Sequence, residues 1–264
     1  MKKGFSQLCL SKESTVRDSL LLAKNLGYSG LEILLTEKGE LNLNSTQKDY
    51  ENLMSLSSET GIEFCSICAS LPFETSLTSN DPKTRERGKK VIEKMLEAAA
   101  ALEVNAILVI PGRVTEQVPY DVAYERAQKG IGELASTAER LGVTIALENV
   151  WNRFLLSPIE FRDFIDKIGS KHVGAYFDTG NVVIFGYPEQ WIDILGKRIR
   201  KVHFKDFKRE GYRWTQLMEG DINWKLVMSA LRRTGYDDYV TSEVEGDYDT
   251  FRKTSQIIDQ ILTM

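Results

Sequence analysis

The chain has 264 residues, 42% hydrophobic and 27% charged, with a net charge of −4: the composition of a globular protein with a sizeable core, without the basic footprint of a nucleic-acid binder. No run approaches the roughly 18–20 apolar residues that span a bilayer, so neither nucleic acid nor membrane is an expected partner. The cysteines are Cys9, Cys65 and Cys68, an odd number that argues against a secreted disulfide framework; with an N-terminal apolar stretch too short for a signal peptide, the expected location is the cytoplasm.

In chain order, the first β-rich run is GFSQLCL (4–10). STVRDSLLLAKNLG follows, with Val16, Leu20, Ala23 and Leu26 at helical spacing and Gly27 where a C-cap belongs. GLEILL (30–35) and EFCSICA (63–69) are the next strands. The second contains the C-x-x-C of Cys65 and Cys68. Residues three apart on a strand face opposite ways, whereas a redox pair sits at a helix start where the thiolate is stabilised. Both thiols therefore read as buried structural cysteines.

The helical segment GKKVIEKMLEAAAALEV leads to AILVIPG (106–112), and ERAQKGIGELASTAERLG leads to VTIALENV (143–150). VGAYFDT (173–179), IRKVHFKDF (199–207), the helix NWKLVMSALRRTG and DYVTSEVE (238–245) complete the chain. Helix, glycine and apolar strand repeat as βα units, which imply parallel strands and right-handed crossovers. Eight such strands without a linker predict a (β/α)8 TIM barrel as one domain, 1–264. A doubly wound dinucleotide fold would show G-x-G-x-x-G after its first strand, and none is present.

In a barrel, chemistry belongs at the C-terminal strand ends. The fifth strand ends on Glu148, the sixth on Asp178, the seventh carries His203 and the eighth Glu243, at separations of 30, 25 and 40 residues. Each alone has a structural reading: a carboxylate at a strand end often caps a helix, Asp178 precedes a turn, and a lone histidine is more often a core group. Four on consecutive strands suggest a mixed oxygen and nitrogen ligand set suited to Mn²⁺, Mg²⁺ or Co²⁺. Glu245 shares parity with Glu243, but is followed by Gly246 and Asp247 and reads as loop. Glu32 is a further rim carboxylate for which buried pairing or capping is an equal reading. His172 precedes the sixth strand, at the opposite end.

At these residues the chain resembles the sugar phosphate isomerase/epimerase superfamily of xylose-isomerase-like barrels. The likeness runs through NLGYSGLEIL, SLTSNDPKTRERGKKVIEKMLEAAAALEV, GVTIALENVWNRFLLSP, DTGN, HFKDFK, EGDINW and GYDDYVTSEV. It implies one divalent metal ion, Mn²⁺ before Mg²⁺, Co²⁺ or Zn²⁺, held by Glu148, Asp178, His203 and Glu243. It also implies Glu148 and Glu243 as the acid/base pair that epimerises a ketose through an enediolate. Ketose 3-epimerases of free sugars carry a further glutamate and a histidine where this chain has Phe154 and Asn181. DTGN and HFKDFK look more like the L-ribulose-5-phosphate 3-epimerase branch, which favours a phosphorylated ketose.

The substrate contacts so implied are Arg209, Lys205, Asn181 and Trp151, with Lys208 and Arg213 as further cations. A solvated basic loop is the competing reading for the cations, and packing beneath the rim for Trp151. Two histidines cannot build the zinc cluster of endonuclease IV, the DNA-repair member. An inosose-type dehydratase, an aldose–ketose or hydroxypyruvate isomerase, and a non-catalytic sugar-binding barrel are the alternatives. The partner is a small sugar or sugar phosphate; association into homo-oligomers is left open.

Overall fold

The computed structural model describes residues 1–71 and 74–264. Strand and helix alternate along the chain: β1 (Lys2–Ser6), α1 (Val16–Asn25), β2 (Gly30–Thr36), α2 (Gln47–Thr60), β3 (Glu63–Ser70), α3 (Pro82–Ala101), β4 (Ala106–Val109) and α4 (Tyr120–Leu141). They continue as β5 (Thr144–Glu148), α5 (Pro158–Ile168), β6 (Val173–Asp178), α6 (Pro188–Leu195), β7 (Ile199–Phe204), β8 (Asp206–Lys208), β9 (Arg213–Thr215), α7 (Trp224–Thr234), β10 (Tyr239–Ser242) and α8 (Tyr248–Leu262). Eight strands close a parallel barrel in the order β1-β10-β7-β6-β5-β4-β3-β2. This is the expected (β/α)8 barrel.

The helices start and stop where the sequence directs. Thr15 and Asp18 form a capping box at α1, and Asp81 accepts from the Lys83 and Thr84 amides before Pro82 opens α3. Gly142 and Gly235 end α4 and α7 in the left-handed conformation, which a side chain would strain. The inner face of α4 is Ala123, Ala127, Ile131, Leu134 and Ala138, all buried. On α5, Phe161 and Phe164 do the same work; burying each side chain is worth roughly 1.5–3 kcal/mol.

Several expected strands are longer than the observed ones. AILVIPG (106–112) is strand only over Ala106–Val109 and DYVTSEVE (238–245) only over Tyr239–Ser242, so Glu243 follows the eighth barrel strand rather than lying in it. Two others differ in kind. The first is Lys2–Ser6, not 4–10, because a 3₁₀ turn begins at Gln7, capped by the Ser6 hydroxyl accepting from the Leu8 amide. The run 199–207 is not one strand. β7 stops at Phe204, and β8 pairs antiparallel with β9 as a hairpin above the rim. The Asp206 carboxylate draws the chain out of the barrel by accepting from the Phe207 and Met218 amides and the Trp224 indole. Gly220 packs so tightly here that a Cβ would lie 2.0 Å from Asp206 Oδ1.

Strand register decides which side chains face the barrel axis. His203 is level with Asp178 on β6 and with Thr241 on β10, while Glu148 is level with Tyr176. Since side chains alternate, Asp178 and Tyr176 share one face, and Thr241 shares it with Glu243, the residue just past β10. Glu32 is level with Ser6 on β1 and Ser66 on β3. The C-terminal half of the barrel interior is therefore a polar layer.

Candidate metal centre and active site

Glu148, Asp178, His203 and Glu243 converge. Each offers one ligand atom within 4.8 Å of all the others. His203 Nδ1 lies 3.1 Å from Glu243 Oε2 and 3.6 Å from Glu148 Oε1. A cation with bonds of about 2.1 Å holds its ligand atoms at comparable separations. Asp178 Oδ2, His203 Nδ1 and Glu243 Oε2 are buried without a hydrogen bond. They make ion-pair contacts with one another, with Glu148 and with Lys205, an arrangement that a bound cation would complete. Oxygen and imidazole donors with no thiolate fit a divalent cation such as Mn²⁺ or Mg²⁺. The group contains Glu243 and leaves out Glu245.

The electrostatics point the same way. Burial pushes the Glu148 carboxyl up to about 7, reinforced by the Glu243 charge, with the neighbouring His203 opposing. Burial also raises Asp178, against the pull of Lys205. It opposes ionisation of Glu243 too, yet His203 and Lys205 outweigh it and hold that carboxyl below the usual range. Burial disfavours a charged His203, but Glu32 and Glu243 raise its pKa well above the ordinary value. Lys205 Nζ sits 3.3 Å from Glu243 Oε2 and 3.8 Å from Asp178 Oδ2. Protons and one ammonium gather where a divalent charge would satisfy all three carboxylates.

Glu32 forms the layer beneath. Its carboxylate accepts from Ser6 (2.7 Å), Ser66 (2.7 Å) and Tyr176 (2.6 Å), and faces His203 Nε2 at 3.0 and 3.2 Å. Burial would raise its pKa, but the His203 charge and the hydrogen bonds from His203, Tyr176 and Ser66 hold it down at about 2. A carboxylate on one imidazole nitrogen fixes the ring and turns the other nitrogen to the ligand position. Of the alternatives for Glu32, the structure takes buried pairing. Tyr176, Ser66 and Ser6 went unread in sequence; their signal is inward parity on three apolar strands.

The DTGN segment is built around Asp178. Asn181 donates its amide N–H to Asp178 Oδ1 at 2.8 Å, which leaves Oδ2 free for a ligand role. Its side chain donates to Asn149 O at 2.9 Å, so Asn181 is committed to the rim backbone. Thr179 Oγ1 donates to Lys205 O and accepts from Lys205 N, tying β6 to β7. A Cβ on Gly180 would lie 2.7 Å from Lys205 Cβ and 2.9 Å from the Trp214 ring. Trp151 donates its indole N–H to Asn181 O and stacks on Trp214, centroids 4.9 Å apart.

A cavity of about 480 Å³ opens beside Glu243 and Lys205. Arg209 is held outside it, donating to Gly186 O at 2.8 Å with its guanidinium over the Tyr187 ring. Lys208 and Arg213 face each other across the hairpin. Cys65 and Cys68 are free and buried, and burial pushes the Cys65 thiol up to about 11, as structural cysteines require. Among the described residues, no helix is long and apolar enough to cross a membrane.

A parallel eight-stranded barrel with carboxylates and a histidine gathered at its C-terminal mouth is a TIM barrel whose polar cluster is compatible with a metal ion. The profile of the family described as Xylose isomerase-like TIM barrel matches residues 20–262, and the chain belongs to that family. It is 26% identical over 271 residues to an uncharacterized protein of Methanocaldococcus jannaschii, covering 99% of this chain and 89% of that one. It is 25% identical over 230 residues to the L-ribulose-5-phosphate 3-epimerase UlaE of Escherichia coli K12, covering 83% and 78%. Among solved structures, a D-tagatose 3-epimerase-like protein superposes with a TM-score of 0.84 at 24% identity, covering 100% of this chain and 97% of that one. The 3-keto-D-glucoside 4-epimerase YcjR of E. coli superposes with a TM-score of 0.81 at 20% identity, covering both chains completely. These two likenesses are of fold.

Proposed function

We propose that the chain is a divalent-metal-dependent 3-epimerase of a ketose or ketose phosphate, acting as one domain over residues 1–264. The observation that carries this reading is the convergence of four ligand-type atoms at the barrel mouth, with three residues of the set each holding a buried polar atom that makes no hydrogen bond. The 25% identity to a protein named as L-ribulose-5-phosphate 3-epimerase supports the reaction class. Glu148, Asp178, His203 and Glu243 would hold the ion, with Mn²⁺ the first candidate. Bound there, a divalent cation supplies Lewis acidity to a ketose carbonyl and its neighbouring hydroxyl, acidifying the carbon-bound proton between them.

The chain's own residues do the proton transfers. Glu148 ends β5 and Glu243 follows β10, strands separated in the barrel by β6 and β7, so the two carboxyls reach the mouth from different sides. One, as carboxylate, takes the proton from C3; the other, as carboxylic acid, returns one to the opposite face, inverting that carbon. Their protonation states are then exchanged, and solvent restores them. Lys205, paired with Glu243 and Asp178, helps to hold those carboxylates ionised. Burial of the cluster excludes competing water.

The test is turnover of a panel of ketoses and ketose phosphates by the Mn²⁺-loaded protein, its Glu148→Gln and Glu243→Gln variants, and protein stripped by chelation. The reading expects epimer formation lost in both variants and on stripping. Full activity in either variant would overturn it.

A further inference from the structure

Resting on the epimerase reading, we infer that the cavity beside Glu243 takes an uncharged ketose, packed by its C–H face on Trp214, and discriminates against the phosphorylated sugar. A phosphate needs cationic or backbone donors free to form charge-assisted hydrogen bonds. Lys205 is the one cation among the described residues lining this cavity, and it is already engaged. It lies 3.3 Å from Glu243 and 3.8 Å from Asp178, with its ammonium 4.5 Å from the centre of the Trp214 ring.

Among the described residues the rest of the wall carries charge of one sign, with Asp206 and Glu245 joining Glu243. Beside them lie apolar Leu8, Trp214 and Val244 and the neutral polar Thr215, Gln216 and Thr250, whose hydroxyls and amide match the hydroxyls of an uncharged sugar. With a divalent ion in place and one of the two acid/base glutamates protonated, the ligand carboxylates, the ion and Lys205 sum to a single positive charge, less than the two wall carboxylates carry. Glu245 and Asp206 then remain as the only further charges on the wall among the described residues. An entering dianion meets like charge at short range, where the penalty is largest. Arg209 does not offset it, because its guanidinium binds Gly186 O and pairs with Asp221 at 3.6 Å.

Trp214 is a built platform. Its ring is stacked on Trp151 at 21° between planes and met edge-on by Phe207 at 5.1 Å. Trp151 is itself anchored through its indole N–H to Asn181 O at 2.8 Å. Gly180 admits the ring at a distance no Cβ would allow. Yet Trp214 stays 44% exposed and lines the cavity. A fixed ring that keeps part of its apolar surface exposed, beside a few convergent polar groups, suits a compact polyol with one apolar side. The volume of about 480 Å³ falls in the range of small-molecule sites.

The experiment compares matched pairs, D-ribulose with D-ribulose 5-phosphate and D-fructose with D-fructose 6-phosphate, on the Mn²⁺-loaded full chain. Both kcat/KM and calorimetric affinity are read. The inference expects the neutral member of a pair to be favoured roughly tenfold or more. Trp214→Ala should raise its KM about tenfold while kcat changes less than threefold and Mn²⁺ affinity is unchanged. Trp214→Phe should restore most of the lost affinity and serves if the alanine variant does not fold. A tenfold preference for the phosphate, or an unchanged KM in both Trp214 variants, overturns the inference. Absence of turnover for every pair would instead sink the epimerase reading, and the binding preference would still decide this one.

Discussion

Glu32→Gln is the most informative single change beneath the metal centre. Gln keeps the volume and one acceptor but removes the charge, and its amide nitrogen cannot accept from His203 Nε2. Glu32 now faces that nitrogen with both oxygens, at 3.0 and 3.2 Å, while Ser6, Ser66 and Tyr176 hold it in place. The three hydroxyls can rotate to meet an amide, so the barrel should stay folded. The imidazole loses the anion that orients it and makes Nδ1 a better donor to a metal. Changing such a supporting group costs about 10–100-fold in metal affinity, or roughly 1.4–2.7 kcal/mol. Glu32 is held down at about 2, so its charge is present throughout the neutral range; because it also raises the His203 pKa, the two proteins are compared at one pH. The assay is calorimetric titration of stripped protein with Mn²⁺, with thermal unfolding in the absence of metal as the check on folding. A folded Glu32→Gln protein that binds Mn²⁺ within twofold of wild type would refute the reasoning.

Other changes probe the scaffold. Lys201, 2% exposed, pairs with Asp238 at 2.9 Å; Asp238→Ala strands that ammonium and should cost about 3 kcal/mol, the lower end for breaking a buried pair, in urea unfolding at pH 7. Burial works against the Asp238 charge, but Lys201 overrides it and lowers the pKa. That contribution is therefore complete above the unfolded value near 4 and lost as pH falls through the folded one, so the gap between wild type and variant should close below about pH 4. No thiol of the native protein should react quickly with a disulfide reagent at pH 8, since burial raises the pKa of Cys9, Cys65 and Cys68; all three should react after denaturation. Fast modification of Cys65 or Cys68 would contradict the structural reading of that pair.

What was legible in the sequence follows from what is local. Glycines after helical runs, and carboxylates at the ends of apolar strands, are adjacent in the chain, so the eight units and the strand-end residues could be read directly. Glu32 could not be ranked, because its meaning lies in Ser6, Ser66, Tyr176 and His203, which come from four other strands. The hairpin was hidden for a different reason. IRKVHFKDF holds no glycine or proline to mark a stop, and the signal to leave the barrel is a tertiary one, Asp206 capturing the Met218 amide and the Trp224 indole. The same outward turn carries Arg209 away from the cavity and brings Trp214 to it, an exchange of a cation for an aromatic face that motif spacing does not encode.

The central claim is that the four converging side chains serve proton exchange at C3 of a ketose. Its most direct measurement is nuclear magnetic resonance of a ketose incubated in D₂O with the Mn²⁺-loaded protein. The account expects deuterium at C3 alone, appearing with the C3 epimer and abolished by Glu148→Gln and by Glu243→Gln. Deuterium at C1, or C3 exchange that survives both substitutions, would contradict it.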